Sequence, residues 1–276
     1  IEEVQTELDA KAETLFTYLK SLGKVCIAYS AGVDSSFLLE AANRALGGNV
    51  LAVMARGAMM PRKEAEYGRE FCRSRNIPFV EIDADEFSVK AFVNNTPDRC
   101  YYCKRGIFLK IIGIAGENGF DVVADGTNKD DVGDYRPGKR ALDELGIRSP
   151  LLDCGFTKKE IRKYAKAMKI DIWDKPPAAC LATRVPTGRR ITPELLSRIE
   201  ISEEFLQSMG FRQVRVRAHD RLARIEVLPD DIMRLCHPAV REEISQKLKE
   251  AGFRYISVDL EGYRTGNMND ETSKNV

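Results

Sequence analysis

Apolar residues along this chain recur at two different spacings, which predict helices that alternate with strands. A spacing of three to four over residues 4–22 is typical of an amphipathic helix, and the apolar run after it is typical of a strand that ends near Ser30. Further strands are predicted at 49–55, 77–83, 122–125 and 150–152, and further helices at 62–75, 103–118 and 157–169. This alternation implies a parallel sheet with right-handed crossovers, so the predicted fold class is α/β.

The pattern changes after a segment rich in Pro and Arg at residues 173–190. Beyond it, the sequence predicts a small α+β unit with helices at 193–208 and 230–250 and strands at 213–218, 222–227 and 255–260. We therefore expect an α/β domain over residues 1–172, an inter-domain segment over 173–190 that carries Cys180, and a smaller α+β domain over 191–276. Residues 267–276 have the composition of a polar tail.

Composition and charge narrow the function classes. The 276 residues are 43% hydrophobic and 31% charged, and no run of about 18 apolar residues occurs, so no membrane span is expected. A net charge of +1, from 43 basic and 42 acidic residues, argues against nucleic acid as a partner. Seven cysteines, an odd number, fit the reducing cytosol better than a disulfide framework, so the expected location is cytoplasmic.

The turn between the first strand and the next helix has the features of a phosphate-binding site. The turn has the sequence Ser30, Ala31, Gly32, Val33, Asp34, Ser35, in which small and hydroxyl-bearing residues predominate. Its backbone N–H groups and the dipole of the following helix are directed at one point. The Walker pattern Gly-x-x-x-x-Gly-Lys-Ser/Thr is not found in the sequence. The alternative is an ordinary strand-to-helix turn, in which Asp34 caps the helix instead of holding Mg²⁺.

A second polar loop follows the strand predicted at 122–125. Asp125, Gly126, Thr127 and Asn128 lead into further carboxylates, and parallel strands place such loops at one edge of the sheet. This loop can bind a Mg²⁺–nucleotide or a ribose, or it can be an Asx-rich turn with solvated charges.

Three cysteines suggest a metal or redox centre. Cys100 and Cys103 form a Cys-x-x-Cys pair, and Cys180 lies about eighty residues further on. The pair alone is compatible with a redox dithiol, a zinc site or an iron–sulfur site. A redox pair is expected at the start of a helix that follows a strand, whereas this pair follows the polar segment Asn94–Asp98. The two histidines do not lie at a zinc-ligand spacing from these cysteines. Three thiolates suit a [4Fe-4S] cluster with one open iron, and the alternative is that these cysteines are unconnected.

The remaining cysteines, Cys26, Cys72, Cys154 and Cys236, are expected to be buried as small hydrophobes.

The α+β unit offers a site for an anion. Arg215 and Arg217 share one face of a predicted strand, where two guanidiniums can bind a phosphate or carboxylate. The alternative is a solvated sheet face crossed by Glu226 and Asp220. Glu203 can act as a base or bind a cation, although a single Glu on a helix more often lies at the surface.

These features together resemble one family over nearly the whole chain. Residues 30–35 resemble the Ser-Gly-Gly-x-Asp-Ser loop of PP-loop ATP pyrophosphatases. The other matching segments are Pro97–Asp98 with the Tyr-Tyr pair, Asp125–Gly126, Asp134–Gly138, Cys180–Arg184, Val214–Arg217 and Gly252–Tyr255 through Asn269. With these segments the chain resembles the LarE family, the sulfur transferases of nickel-pincer nucleotide biosynthesis, which supplies the lactate racemase cofactor.

The resemblance implies a reaction and its cofactors. ATP, with Mg²⁺, adenylates a carboxylate of pyridinium-3,5-biscarboxylic acid mononucleotide, and sulfur then displaces AMP to leave a thiocarboxylate. Because Cys100, Cys103 and Cys180 match the three-cysteine members, the resemblance implies a [4Fe-4S] cluster that relays sulfide from a separate sulfide source. It places Glu203, Arg215 and Arg217 at the sulfur-transfer and substrate-phosphate site, with Thr183 and Arg184 beside the cysteine. Ala31 departs from the family's usual glycine.

Two other functions stay open at this point. Some tRNA thiolases of the PP-loop class also use three cysteines and an iron–sulfur cluster, although the balanced charge argues against this function. A nucleotide-binding module without catalysis is the second, and Ala31 is the residue that makes it conceivable. The sequence does not reveal the oligomeric state, and a homo-oligomer is compatible with it.

Overall fold

The structure is a computed structural model that describes residues 2–131, 137–177 and 179–264, without the side chains of residues 2–9. The chain forms two compact units. The first unit comprises Ile1–Asp85 and Asp98–Ala178, and the second comprises Glu86–Pro97 and Ala179–Val276. The domain boundaries predicted at residues 172 and 190 stay predictions, and the predicted polar tail at 267–276 lies outside the described residues.

The helices and strands are labelled in chain order. Up to the middle of the chain they are α1 (Glu2–Leu22), β1 (Val25–Ala28), α2 (Val33–Leu46), β2 (Val50–Arg56), α3 (Arg62–Ser74), β3 (Phe79–Asp83), α4 (Lys90–Val93), α5 (Arg99–Glu117) and β4 (Val123–Ala124). They continue with α6 (Pro137–Glu144), α7 (Pro150–Asp153), α8 (Lys158–Ala167), α9 (Pro193–Ser208), β5 (Val214–His219), β6 (Leu222–Val227), α10 (Ile232–Cys236), α11 (Pro238–Glu250) and β7 (Tyr255–Val258).

The first unit is built on a parallel sheet, as the alternation of strands and helices predicts. Its strand order is β3-β2-β1-β4, and each neighbouring pair is parallel. Val25, Cys26 and Ile27 of β1 are fully buried, which is typical of a strand covered on both faces. Because β1 and β4 are neighbours, the loops that follow them emerge side by side at one edge of the sheet.

The strand predicted at residues 150–152 is wrong, because Pro150 begins the short helix α7. Proline lacks a backbone N–H and has a fixed φ, so it suits the first position of a helix better than a central strand. The sheet contact is made just before it, by an isolated parallel bridge between Arg148 and Ala124. This single bridge therefore takes the place of the strand predicted at residues 150–152.

Helix α8 begins with the predicted capping box. The Thr157 hydroxyl accepts a hydrogen bond from the Glu160 backbone N–H, and the Glu160 carboxylate accepts one from the Thr157 N–H at 2.8 Å. The other oxygen of Glu160 accepts from Lys11 Nζ at 2.6 Å, which ties α8 to α1. This start fixes the position of Lys158, the first residue of the helix.

The second unit contains a small mixed sheet in the order β5-β6-β7. Strands β5 and β6 are antiparallel, and β6 and β7 are parallel. The single helix predicted at 230–250 is wrong, because Pro238 disfavours helical geometry at His237 and separates α10 from α11. Asn95, in the segment 86–97, donates its amide to the carbonyls of Val185 and Pro186 at 3.1 and 2.7 Å, which anchors that segment within this unit.

Within the described part of the chain, every helix is too short or too polar to span a bilayer.

Candidate active site

The turn between β1 and α2 presents the start of a helix that no side chain caps. Gly32 is the N-cap residue and makes no side-chain cap, so Asp34 lies inside the first turn and does not cap the helix. Ser30 Oγ and Ser35 Oγ are 3.1 Å apart, and the Ser35 hydroxyl donates to the Gly32 carbonyl at 3.2 Å. The first N–H groups of a helix have no partner within it, so this turn offers backbone donors and a positive dipole end to an anion.

Asp34 has one carboxylate oxygen in use and one without a partner. Its Oδ2 accepts from Asn128 Nδ2 at 3.3 Å and lies 3.3 Å from Lys158 Nζ. Its Oδ1 is enclosed and has no hydrogen-bond partner among the described residues. Burial raises the pKa of Asp34, against the opposing charge of Lys158. An enclosed, unpartnered carboxylate oxygen beside the N-terminus of α2 fits a ligand to Mg²⁺.

Gly126 lets the end of β4 approach the start of α2 closely. A Cβ atom on Gly126 would lie 2.9 Å from the Ser35 backbone N and 3.2 Å from the Asp34 carbonyl carbon. Backbone atoms cannot move aside as a flexible side chain can, so only glycine fits here.

The carboxylate of Asp125 binds its own turn and the start of α7. It accepts hydrogen bonds from Ser149 Oγ at 2.7 Å and from Thr127 Oγ1 at 2.5 Å. The Thr127 backbone N–H also donates to Asp125 Oδ1, at 3.3 Å, which is the hydrogen bond of an Asx turn, but Asp125 is buried and its charge is not solvated. Asn128 is the residue of this loop that connects to Asp34.

Ala31 adopts a left-handed backbone conformation, with φ of 58°. A residue with a Cβ atom avoids strain at this position only if its φ is negative, so the positive φ of Ala31 is a strained conformation. The Ala31 side chain is fully buried, and its Cβ lies 3.3 Å from the position that a Cβ on Gly68 would take.

Substitution at Ala31 should separate the backbone requirement from the packing requirement. Ala31→Val is expected to lower the free energy of unfolding by about 3 kcal/mol, because a β-branched residue is disfavoured at positive φ and the site is full. Ala31→Gly is expected to change it by less than about 1 kcal/mol, because relief of strain offsets the lost methyl group. Urea unfolding of both variants measures this, and equal losses in the two would contradict it.

The Cys-x-x-Cys pair lies in the first turns of α5, which begins at Arg99 and not near residue 103 as predicted. The sequence-based reason for setting a redox pair aside was thus partly wrong, although the chain enters α5 from the helical segment α4 and not from a strand. Cys100 is exposed and Cys103 is buried, with Cys103 Sγ 3.7 Å from Met59 Sδ. Residues three apart on a helix lie on one face, so two thiols one turn apart can share a ligand.

None of the seven cysteines forms a disulfide in the part of the chain that the structure describes. Cys26 and Cys72 are buried as predicted, and burial raises the pKa of each thiol to about 12. Cys154 is only half-buried. The predicted burial of Cys236 is wrong, because it is the exposed last residue of α10, next to the break before Pro238.

In the second unit, Cys180 precedes a single turn of 3-10 helix, Leu181–Arg184. The Cys180 carbonyl accepts hydrogen bonds from the Thr183 backbone N–H at 2.9 Å and from Thr183 Oγ1 at 2.8 Å. Cys180 itself is half-buried. The backbone that carries this thiol is therefore well ordered by its own turn.

Glu203 is buried on α9 and not at the surface, where a single Glu on a helix was expected. It accepts two hydrogen bonds from Arg184, Nε to Oε1 at 2.9 Å and Nη2 to Oε2 at 2.8 Å. The Val216 backbone N–H also donates to Oε1, at 2.9 Å. Arg184 is 2% exposed, so this is a fully enclosed bidentate ion pair.

Arg215 and Arg217 are both buried, which excludes the solvated sheet face. Arg217 donates to Glu226 Oε2 at 2.8 Å and to the Thr183 carbonyl at 3.2 Å, and its Nε has no partner among the described residues. Burial lowers the pKa of Arg215, and the charge of Arg184 lowers it further. A bound anion would offset this clustering of positive charge.

The comparisons with known proteins now bear on this site. The chain is 35% identical over 272 residues, 97% of its length and 96% of the relative's, to the pyridinium-3,5-bisthiocarboxylic acid mononucleotide synthase of Lactiplantibacillus plantarum. The chain belongs to the LarE family. It is also 35% identical over 267 residues to an uncharacterized Synechocystis protein (97% of this chain, all of the relative) and 34% identical over 245 residues to one from Methanocaldococcus jannaschii (88% and 91%). No protein-family model matches the chain.

As a LarE-family chain, the protein divides the three predicted cluster ligands between its units, with Cys100 and Cys103 in the first and Cys180 in the second. Within either unit, the described residues bring no three His, Cys, Asp or Glu side chains together around a metal position. The three-thiol cluster stays a prediction. Asp134, Tyr135, Arg136 and Asn269, which also contribute to the likeness to LarE, lie outside the described residues.

In this LarE-family chain, the sequence did not predict one partner of Asp34 at the turn between β1 and α2. Lys158 lies beside Asp34, 124 residues away in sequence, because α8 starts at the same edge of the sheet. The available signal was the capping box, which fixes Lys158 as the first residue of a helix after the fourth strand. Nothing in the sequence paired it with Asp34.

Proposed function

We propose that this chain is an ATP-dependent sulfur transferase that converts a carboxylate of pyridinium-3,5-biscarboxylic acid mononucleotide into a thiocarboxylate. The observation that carries the ATP step is the unpartnered Oδ1 of Asp34 beside the start of α2. The acceptor is inferred from the name of the L. plantarum synthase, which spans nearly all of this chain. A small-molecule substrate and a separate sulfide source are therefore the expected partners.

The first step activates the acceptor. A carboxylate oxygen attacks the α-phosphorus of ATP, an O–P bond forms, and pyrophosphate leaves with its electron pair. The N–H groups of residues 30–35 would hold the departing phosphates, and Asp34 would hold Mg²⁺ with Lys158 next to it. The product is an acyl-adenylate, in which AMP is a good leaving group.

The second step transfers sulfur. A C–S bond forms as hydrosulfide attacks the acyl carbon, the C–O bond to AMP breaks, and AMP takes the electron pair. The sulfur proton is released to solvent, which leaves the thiocarboxylate. Arg215 and Arg217 supply cationic groups for the substrate phosphate, and burial strengthens their attraction for an anion.

Three thiols of this chain fit an iron–sulfur cluster by donor chemistry, because none is in a disulfide and no histidine is needed. Cys100, Cys103 and Cys180 would hold it. When bound, such a cluster supplies a soft metal position at which sulfide can be delivered.

Replacing the cysteines should uncouple the two steps. Cys100→Ala, Cys103→Ala and Cys180→Ala are each expected to remove the brown colour of anaerobically reconstituted protein and to stop thiocarboxylate formation. Release of pyrophosphate in the first turnover should persist, because residues 30–35 contain no cysteine, whereas AMP leaves only as sulfur is transferred. Absorption spectra, a pyrophosphate assay and chromatography of thiocarboxylate measure these effects.

Cys236→Ala is the matched control, because Cys236 is exposed and lies outside the predicted site. It should retain both colour and product. A colourless wild-type protein after iron and sulfide reconstitution, or full thiocarboxylate formation by Cys180→Ala, would contradict the proposed sulfur relay.

A further inference from the structure

We propose that Arg184 and Glu203 are positioning residues that fix the backbone of Cys180 for sulfur transfer. The inference rests on the proposed function. It adds a role for Arg184, a buried residue that the family resemblance placed only beside Cys180. We call the pair the Arg184–Glu203 clamp.

The first observation is that the Arg184 guanidinium donates hydrogen bonds to the backbone carbonyl groups around Cys180. Arg184 Nη1 donates to the Ala179 carbonyl at 2.7 Å and to the Cys180 carbonyl at 3.1 Å. It also lies 3.1 Å from Thr183 Oγ1, the hydroxyl that donates to the same Cys180 carbonyl. Hydrogen bonds from a charged donor are the strong ones, so this contact restricts the chain on the N-terminal side of the thiol.

The second observation is that Glu203 holds this guanidinium at a fixed angle. The remaining donors of Arg184, Nε and Nη2, bind the two oxygens of Glu203, and Glu203 Oε1 also accepts from the Val216 N–H. The clamp therefore connects the Cys180 turn to both α9 and β5. Because both carboxylate oxygens are engaged, Glu203 acts through Arg184 and not as a base.

Arg217 secures the other end of the same turn. Its Nη1 donates to the Thr183 carbonyl at 3.2 Å, while its Nη2 is held by Glu226, which is fully buried. The turn from Cys180 to Arg184 is thus held by two buried guanidiniums, each oriented by its own buried carboxylate.

Stability alone does not require such a pair. Desolvation offsets most of the attraction of a buried ion pair, and an apolar pair of similar volume is often equally stable. What the clamp provides is geometry, because a planar guanidinium with two fixed partners cannot rotate. A misplacement of about 1 Å at a reacting group can cost about 100-fold in rate.

The test is the double variant R184M/E203Q, which removes both charges of the clamp together and keeps an amide oxygen for the Val216 N–H. In protein free of iron and substrate, alkylation of Cys180 by iodoacetamide, followed by peptide mass spectrometry, should be about tenfold faster than in wild type, since the turn opens more readily. Cys236 serves as the internal control, and its rate should not change. R184K should not restore protection, because an ammonium cannot bind both carbonyls and both carboxylate oxygens at once.

In the loaded enzyme, R184M/E203Q should form thiocarboxylate about 100-fold more slowly, while its release of pyrophosphate in the first turnover stays within twofold of wild type. R234M is the matched control, because Arg234 is an exposed arginine of the same unit that does not contact this turn. If wild type itself forms no thiocarboxylate, the proposed function fails, and the alkylation result still decides the clamp. A folded double variant with unchanged Cys180 alkylation and unchanged transfer would overturn the clamp.

Discussion

Asp34→Asn is expected to reduce ATP turnover by at least about 100-fold without lowering the stability of the protein. The neutral amide is a poor ligand for Mg²⁺, so release of pyrophosphate should be lost. The stability should hold because the wild-type carboxylate is charged in a site where one oxygen is enclosed and unpartnered. Pyrophosphate release and urea unfolding measure the two effects on the same preparation.

The pH dependence of this variant has a definite sign. Burial raises the pKa of Asp34 above its unfolded value, so the charged carboxylate costs stability above that pKa, and the cost disappears as the pH falls through it. The stability advantage of Asp34→Asn should therefore be present at neutral pH and shrink on acidification. Asp121→Asn, at an exposed position, is the control. An Asp34→Asn protein that turns over ATP normally would contradict the assignment of Asp34.

Gly126→Ala is expected to combine a loss of activity with a loss of stability. The added Cβ would meet backbone atoms of Ser35 and Asp34 at 2.9 to 3.2 Å, so the end of β4 and the start of α2 must separate. We expect the free energy of unfolding to fall by about 1–3 kcal/mol. ATP turnover should fall by about 100-fold, because in the proposed function the same backbone would hold the phosphates of ATP.

Gly113→Ala supplies the matched control for this glycine. A Cβ on Gly113 would meet nothing within 4 Å, and the residue lies inside helix α5. Its replacement should raise the free energy of unfolding by about 0.5–1 kcal/mol and leave turnover unchanged. If Gly126→Ala behaves like Gly113→Ala in both measurements, the close approach at the phosphate-binding turn is not needed.

The central sheet could be predicted from the sequence because its inner strands, β1 and β2, are buried on both faces and are short apolar runs. The turn at residues 30–35 could be predicted because a strand, small residues and a helix follow one another without interruption. Both features depend on neighbours in the sequence. The fifth strand predicted from the sequence is wrong for a reason that is also local. Pro150 favours the start of a helix, and this preference outweighs the strand tendency of its apolar neighbours.

The ion pairs of the site could not be predicted, because each joins residues that are distant in the sequence. Arg184 and Glu203 come from a 3-10 turn and a helix, and Asp34 and Lys158 come from two helices that start at one sheet edge. Only the folded chain shows that Glu203 is buried and fully engaged. From its sequence position alone Glu203 was expected to be exposed, and this expectation is wrong.

One isotope measurement tests directly whether the reaction passes through an acyl-adenylate. The pyridinium biscarboxylate is labelled with ¹⁸O in its carboxylates and incubated anaerobically with the protein, ATP, Mg²⁺ and sulfide, and the AMP is analysed by mass spectrometry. If the carboxylate attacks the α-phosphorus and AMP leaves by C–O cleavage, each AMP carries one ¹⁸O atom. AMP that contains no ¹⁸O would mean that water, and not the acceptor carboxylate, cleaves ATP, and would contradict the account.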